Sequence, residues 1–108
     1  RHMIGAMELA AMRPNGVLVN IARGDVVDQA ALVEALEKNS IEAALLDVTD
    51  PEPLPEDHPY WAHPRVTVTP HLAAATRNET ASEVIAENIR RSEAGEPLLH
   101  LVDRDRGY

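Results

Sequence analysis

The sequence predicts an α/β fold built on a parallel βαβ sheet. Three short runs of aliphatic residues have the length of strands, and they alternate with segments in which apolar residues recur at helical spacing. Gly, Pro, Asn and Asp cluster between these segments and mark the turns. The order strand, helix, strand, connection, strand, helix is typical of parallel βαβ units with right-handed crossovers.

The first predicted helix and strand lie within residues 4–22. Apolar residues recur at helical spacing over residues 4–12, and the turn-forming residues 13–16 end that helix. Residues 17–22 are a continuous aliphatic run, which predicts a strand buried on both faces. The outer edge of this strand has no evident cover, and an uncovered apolar edge favours association, so we expect further strands beside it in a longer chain.

A second helix and two further strands follow. Asp28 can cap a helix over residues 29–38, and Asn39 can end that helix in a left-handed conformation. Residues 41–48 and residues 66–69 are aliphatic runs that predict the second and third strands. The three predicted strands therefore form the sheet.

The remaining segments are a Pro-rich connection, a long helix and a tail. Five prolines within residues 50–64 predict an irregular segment, with Trp61 as its buried anchor. Residues 80–94 predict an amphipathic helix with Gly95 just past its end. Residues 96–108 are charged, and we expect them to be extended.

Composition excludes several classes of partner. The 108 residues carry a net charge of -8, so no basic surface is available for nucleic acid, and we expect no such partner. No apolar run reaches the roughly 20 residues that a membrane span requires, and we expect no membrane partner. The chain has no Cys, which excludes disulfides and thiolate sites and suits a reducing compartment, so a cytoplasmic location is expected.

Three chemically active side chains follow the three predicted strands. Arg23, Glu52 and His71 each come shortly after a strand, and the carboxyl ends of parallel strands converge on one crevice. A guanidinium can hold a carboxylate and an adjacent carbonyl oxygen, which suits a 2-oxo acid. An imidazole oriented by a carboxylate can give a proton to that carbonyl. The pattern predicts a proton-transfer and anion-binding site.

Plainer interpretations of these side chains stay open. Arg23 could be a surface residue paired with Asp25 or Asp28, and His71 could be a loop histidine near a solvated Glu52. Asp47, at the end of the second strand, could accept a hydrogen bond from an amide such as that of a nicotinamide. That carboxylate could equally cap a turn.

A metal site has little support in the sequence. His58, His63 and His71 do not have the spacing of a helical metal-binding motif, and no Cys is present. We therefore predict no metal ligand. A metal-dependent hydrolase is the weakest of the functional hypotheses.

Four segments together resemble a known family. NIARGDVVDQAALVEAL, ALLDVTDPEPLP, HPYWAHPRVTVTPHLAA and VDRDRGY are similar to the C-terminal part of the D-isomer-specific 2-hydroxyacid dehydrogenases, and most similar to bacterial glyoxylate/hydroxypyruvate reductases. The resemblance implies that residues 1–95 are the C-terminal part of a Rossmann-type NAD(P)-binding domain. It also implies that the tail, residues 96–108, returns to a substrate domain, and that the full-length protein is a homodimer.

The same resemblance implies roles for individual residues. Arg23 would bind and polarise the 2-oxo acid, His71 would be the acid/base, and Glu52 would pair with His71. NAD or NADP would be the cofactor, and hydride would pass to glyoxylate or hydroxypyruvate to give the D-2-hydroxy acid. The residues implied in binding the cofactor are Ile21, Ala22, Arg23, Asp47, His71, Ala73 and Ala74.

The sequence lacks one motif that such an enzyme requires. No G-x-G-x-x-G occurs in it, so the loop that binds the pyrophosphate is missing. We therefore expect a fragment of an oxidoreductase that is nearly inactive when isolated. The alternative hypothesis is an NAD(P)-sensing module that binds partner proteins on the same fold.

Overall fold

A computed structural model describes residues 1–106 of the chain. The chain folds as two compact units, residues 1–74 and the residues from 75 onward. The predicted division at residue 95, between a cofactor-binding part and a tail, stays a prediction. The elements in chain order are α1 (Ala6–Ala11), β1 (Val17–Asn20), α2 (Gln29–Glu37), β2 (Ala43–Leu46), α3 (Pro59–Ala62), β3 (Val66–Val68) and α4 (Asn78–Ala94).

The sheet confirms the predicted fold class. Its three strands are parallel and run in the order β1-β2-β3, with Asn20 opposite Leu46 and Leu46 opposite Val68. The carboxyl ends of the strands are therefore aligned at one edge of the sheet. Strand β1 lies at the side of the sheet, as predicted.

One face of the sheet is buried against the helices and loops of the first unit. Ala44 and Leu46 of β2 belong to a core that includes Leu32 and Leu36 of α2. The other members of this core are Leu9, Val27, Ala35, Ile41, Leu54 and Tyr60. Because these side chains are apolar apart from the Tyr60 hydroxyl, their burial fixes the strands against the helices.

The opposite face corrects the prediction that β1 is buried on both faces. Val19 is 59% exposed and Val17 46% exposed, and Leu45 of β2 is 44% exposed. Alternate residues of a strand point to opposite faces, so these three side chains share the open face. A continuous aliphatic run therefore did not mean burial on both sides.

The caps of α2 agree with the sequence. The Asp28 carboxylate accepts a hydrogen bond from the Ala31 backbone N–H at 3.0 Å, which satisfies one of the free donors at the helix start. Asn39 has a φ of 56°, in the left-handed region expected at the helix end.

The Pro-rich segment is less irregular than predicted. His58 caps the start of the short helix α3, and Pro59 occupies its first position, where a missing N–H costs nothing. Within α3 it is Tyr60, 2% exposed, that is buried, whereas Trp61 is 55% exposed. The prediction of Trp61 as the buried anchor is therefore wrong, because the helical turn directs Tyr60 into the core instead.

The second unit consists of α4 and the residues after it. The helix begins two residues before the predicted start and ends at Gly95, which has a φ of 66°. None of its residues is buried, and Ile85 and Ile89 are 59% and 57% exposed. The predicted apolar side of this helix thus faces outward within its own unit.

The described part of the tail is folded rather than extended, which corrects that prediction. The Asn88 amide binds the backbone of Leu99 in both directions, donating at 3.2 Å and accepting at 2.7 Å. Asp103 closes a turn by accepting from the backbone of Asp105 and Arg106. Residues 107–108 lie outside the described residues.

None of the helices between residues 1 and 106 is long and apolar enough to span a membrane.

Candidate active site

The turn that carries Arg23 is held by the last residue of β1. Asn20 is buried, and its side-chain oxygen accepts from Ala22 N at 3.1 Å while its amide nitrogen donates to Arg23 O at 2.9 Å. A buried amide with both ends satisfied fixes the backbone around it. Asn20 was not singled out in the sequence, although an Asn at a strand end is a common turn former.

Gly24 brings this turn against the loop after β2. A Cβ on Gly24 would lie 2.0 Å from the carbonyl carbon of Thr49, which no side chain can tolerate without movement of the backbone. The close approach therefore requires glycine at this position. It joins the Arg23 turn to the segment that carries Glu52.

Glu52 uses its two carboxylate oxygens for two different partners. Oε1 accepts from Thr49 N at 2.9 Å, and Oε2 lies 3.0 Å from Nδ1 of His71. The Thr49 hydrogen bond, followed by that of His71, holds the pKa of the Glu52 carboxyl below its ordinary value of 4.5. Glu52 is therefore an anion that orients the imidazole, as the sequence predicted of this pair.

His71 itself lies in a tight turn after β3. Its backbone has a φ of 55°, and its N–H donates to Thr69 O at 3.0 Å. A non-glycine residue in the left-handed region is uncommon and is often found where surrounding contacts hold it for a purpose.

Asp47 supplies those contacts. Its Oδ1 accepts from the Thr69 hydroxyl and from Leu72 N at 2.9 Å, and its Oδ2 accepts from Ala73 N at 2.8 Å. The Thr69 hydroxyl is the main reason that the pKa of Asp47 lies below its ordinary value, with the Ala73 and Leu72 amides adding to it. Asp47 was expected either to accept a hydrogen bond from an amide such as that of a nicotinamide or to cap a turn, and in the structure it caps the turn that carries His71.

Two adjacent concavities open at this edge of the sheet. His71 lines a cavity of about 490 Å³, and Arg23 lines a neighbouring one of about 230 Å³. Thr49 and Glu52 line both. The three predicted catalytic residues thus lie around one region, with Glu52 between the cation and the imidazole.

The remaining residues predicted to bind a cofactor lie on the turns that follow β1 and β3. Ile21 is 55% exposed, and Ala22, Ala73 and Ala74 are also exposed. Ile21 and Ala22 adjoin Arg23, whereas Ala73 and Ala74 follow the Asp47-bound turn. They offer a small apolar surface beside the two concavities.

A metal centre has no counterpart among the described residues. Within residues 1–106, no three His, Asp or Glu side chains lie close enough together to hold an ion. His58 instead accepts a hydrogen bond from Tyr60 N, and His63 accepts one from Arg65 N. Both histidines therefore organise local backbone.

Comparison with known proteins decides the family. The model of the D-isomer specific 2-hydroxyacid dehydrogenases, NAD binding domain, matches residues 1–73, about two thirds of the chain. The chain belongs to this family. The predicted resemblance is confirmed, and so is the Rossmann-like character of the sheet.

Curated relatives in this dehydrogenase family are similar over the whole chain. Glyoxylate/hydroxypyruvate reductase A of Photorhabdus laumondii is 45% identical over 108 residues, which are 100% of this chain and 34% of that protein. The reductase of the same name from Klebsiella pneumoniae is 48% identical over 100 residues, 93% of this chain and 32% of that protein. The chain spans about a third of the length of these relatives.

Solved structures of the dehydrogenase family have the same fold. A D-isomer specific 2-hydroxyacid dehydrogenase from Xanthobacter autotrophicus, in complex with NADPH and MES, is 50% identical with a TM-score of 0.95, over 100% of this chain and 45% of that one. An NADPH-dependent glyoxylate/hydroxypyruvate reductase from Sinorhizobium meliloti, in complex with NADP and sulfate, is 33% identical with a TM-score of 0.91, over 100% of this chain and 36% of that one.

Proposed function

We propose that this chain is the catalytic C-terminal part of an NAD(P)-dependent 2-hydroxyacid dehydrogenase that reduces glyoxylate or hydroxypyruvate to the D-2-hydroxy acid. The observation that carries the proposal is the hydrogen bond of 3.0 Å between Nδ1 of His71 and the Glu52 carboxylate, beside the concavity lined by Arg23. The names of the curated relatives support the substrate class.

His71 is proposed as the proton donor. An ionised carboxylate can only accept hydrogen bonds, so Nδ1 of His71 donates to Glu52. When the ring is protonated on both nitrogens, the second one, Nε2, carries the proton that passes to the oxygen of the 2-oxo acid as negative charge develops on it. After this step the neutral imidazole remains tied to Glu52 and recovers its proton from solvent.

Arg23 is proposed to bind the substrate. Within residues 1–106 its guanidinium makes one hydrogen bond, from Nη1 to its neighbour Ala22 O at 2.6 Å. Its other N–H groups can therefore hold a carboxylate and the adjacent carbonyl oxygen with charge-assisted hydrogen bonds. This cation would fix the substrate and withdraw electron density from its carbonyl.

The residues present fit a nicotinamide cofactor. Exposed Ile21 and Ala22 offer an apolar surface, and Oδ2 of buried Asp47 accepts one hydrogen bond, from Ala73 N, so it can accept another from an amide. Ile21, Ala22, Arg23, Asp47, His71, Ala73 and Ala74 are proposed to hold it. When bound, NADPH or NADH supplies the hydride.

The wider context of the site is also proposed. Residues 96–108 would be the tail that returns to a substrate domain of the full-length protein, which we propose to be a cytoplasmic homodimer. Two observations support the proposal that the tail returns to a substrate domain. Asn88 fixes the direction of the tail at Leu99, and the apolar side chains of Leu101 and Val102 are 74% and 58% exposed.

A second candidate is an NAD(P)-sensing module that binds partner proteins. The exposed side chains of Val17, Val19 and Leu45 favour it, because an apolar face of this kind is typical of an interaction surface. The effect of replacing Arg23 on turnover distinguishes the reductase from the sensor, because only the reductase needs Arg23 to hold a substrate.

The deciding experiment compares Arg23→Ala with Arg13→Ala in the full-length protein. Loss of two charge-assisted hydrogen bonds should lower kcat/KM for glyoxylate by roughly 100-fold or more, whereas Arg13 is an exposed arginine that lines neither concavity. Oxidation of NADPH is followed at steady state, and circular dichroism checks folding. A wild-type protein that turns over no 2-oxo acid would refute the reductase and favour the sensor.

A further inference from the structure

Asp47 ties together the two ends of the turn that carries His71. On the N-terminal side of the turn, its carboxylate accepts a hydrogen bond from the Thr69 hydroxyl. On the C-terminal side, it accepts hydrogen bonds from the backbone N–H groups of Leu72 and Ala73. Thr69 also accepts from His71 N through its carbonyl oxygen. Thr69 is therefore hydrogen-bonded both to the backbone of His71 within the turn and to the Asp47 carboxylate that closes the turn.

We propose that Thr69 is a positioning residue, whose hydroxyl holds Asp47 in the place from which that carboxylate fixes the His71 turn against Glu52. The inference rests on the proposed reductase function. It assigns Thr69 no contact with substrate or cofactor, only an effect on where the His71 ring lies.

The hydrogen-bond geometry gives the reason. Asp47 is 5% exposed, and a buried carboxylate requires donors on both oxygens. Oδ1 has two donors, Thr69 and Leu72, while Oδ2 has Ala73. Without the hydroxyl, Oδ1 keeps a donor on one side of His71 only, and the carboxylate loses its hydrogen bond to the residue that follows β3.

The backbone of His71 makes this bracing important. A φ of 55° is unfavourable for a residue with a Cβ, so contacts outside the residue must hold it. The imidazole reaches Glu52 from this conformation at 3.0 Å. A turn that relaxes would therefore move Nδ1 away from its partner.

The chain offers a matched control two residues before Thr69, in strand β3. Thr67 and Thr69 are both exposed threonines two positions apart, but Thr67 lies within β3 and its side chain makes none of these hydrogen bonds. Because Thr69 is exposed, removal of its hydroxyl should leave the apolar core intact.

The experiment compares Thr69→Val, Thr69→Ser and Thr67→Val in the full-length protein. Since a displacement of about 1 Å can cost on the order of 100-fold in rate, Thr69→Val should lower kcat about 10- to 100-fold. The KM for the 2-oxo acid should stay within about twofold, because Arg23, proposed to bind it, lines the neighbouring concavity, which Thr69 does not line. Thr69→Ser should restore kcat, and Thr67→Val should leave it unchanged.

A second measurement does not depend on turnover. Nitrogen-15 NMR of the His71 ring reports the hydrogen bond at Nδ1, and Thr69→Val should shift this signal while Thr67→Val should not. If Thr69→Val does not fold, as judged by circular dichroism, Thr69→Ala makes the same comparison without the additional methyl group.

The outcomes separate this inference from the proposed function. A shifted His71 signal in a protein without reductase activity would refute the function and retain Thr69 as the support of the turn. An unshifted signal with unchanged kcat would overturn the inference while the reductase stands. A raised cofactor KM with kcat unchanged would also overturn it, because Thr69 would then act on cofactor binding.

Discussion

The two halves of the candidate site are held in different ways. In one half the His71 ring is bonded to Glu52, Glu52 is bonded to Thr49 N, and Asp47 closes the turn behind the ring. In the other half only the backbone of Arg23 is fixed, through Asn20. Its guanidinium is exposed and contacts its own chain at Ala22 O.

This difference suits the two tasks proposed for them. A proton donor works best when its geometry is set in advance, because reorientation during the reaction raises the barrier. An anion-binding arm must instead keep its N–H groups available until a ligand arrives. The ordered His71 ring and the available N–H groups of Arg23 thus match the two tasks that reduction of a small 2-oxo acid requires.

The largest effect should come from removal of His71, the proposed proton donor in the ordered half. In the full-length protein, His71→Gln should lower kcat by about 100- to 10,000-fold, the usual contribution of a general acid. KM should change little, since Arg23, proposed to bind the substrate carboxylate, is unchanged in this variant. Steady-state oxidation of NADPH measures both constants.

The control for this prediction is His100→Gln. His100 is an exposed histidine after α4, so its replacement should leave kcat unchanged. Equal loss of activity in His71→Gln and His100→Gln would contradict the proposal that His71 is the proton donor.

An intermediate effect should follow from Gly24→Ala, because the two halves meet at Thr49. A Cβ at Gly24 would collide with the Thr49 backbone, and such overpacking costs about 1–3 kcal/mol of unfolding free energy. Movement of Thr49 should lower kcat through Glu52 and raise KM through Arg23. Urea denaturation and steady-state kinetics test the two effects.

Gly5→Ala is the matched glycine control. A Cβ at Gly5 would lie 3.6 Å from the nearest atom, an ordinary contact, so stability and kinetics should stay close to wild type. If Gly24→Ala raised KM alone, the halves would be independent and the shared support at Thr49 would be disproved.

The smallest effect concerns the protonation of Glu52. Its lowered pKa means that the folded state gains stability from this carboxylate above about pH 4.5, and loses it as the pH falls through the folded pKa. In His71→Gln the pKa should rise but stay below 4.5, because the Thr49 hydrogen bond is the larger cause. Carbon-13 NMR of the carboxyl measures it, and a pKa of 4.5 or more in the variant would contradict this ranking.

Much of the fold and the central pair of the site could be predicted from local patterns. The three strands, α2 with its Asp28 cap, and the approach of Glu52 to His71 all follow from strand-length runs and from the rule that parallel strands end together. What failed depended on neighbours distant in sequence. Trp61 and Tyr60 are adjacent aromatic residues, and only packing against the core distinguishes the exposed one from the buried one.

The sequence by itself determined the parallel sheet and the turns in which Arg23, Glu52 and His71 lie, because periodicity and turn chemistry are local properties, and the resemblance of four segments indicated the family. Tertiary structure alone decided that Asp47 closes the His71 turn with hydrogen bonds and that position 24 must lack a side chain, because the Thr49 backbone lies against it. Those contacts join residues 26 and 25 positions apart in the chain, Asp47 with Ala73 and Gly24 with Thr49. Hydrogen bonding and close packing act across space, so they exist only once the strands are aligned.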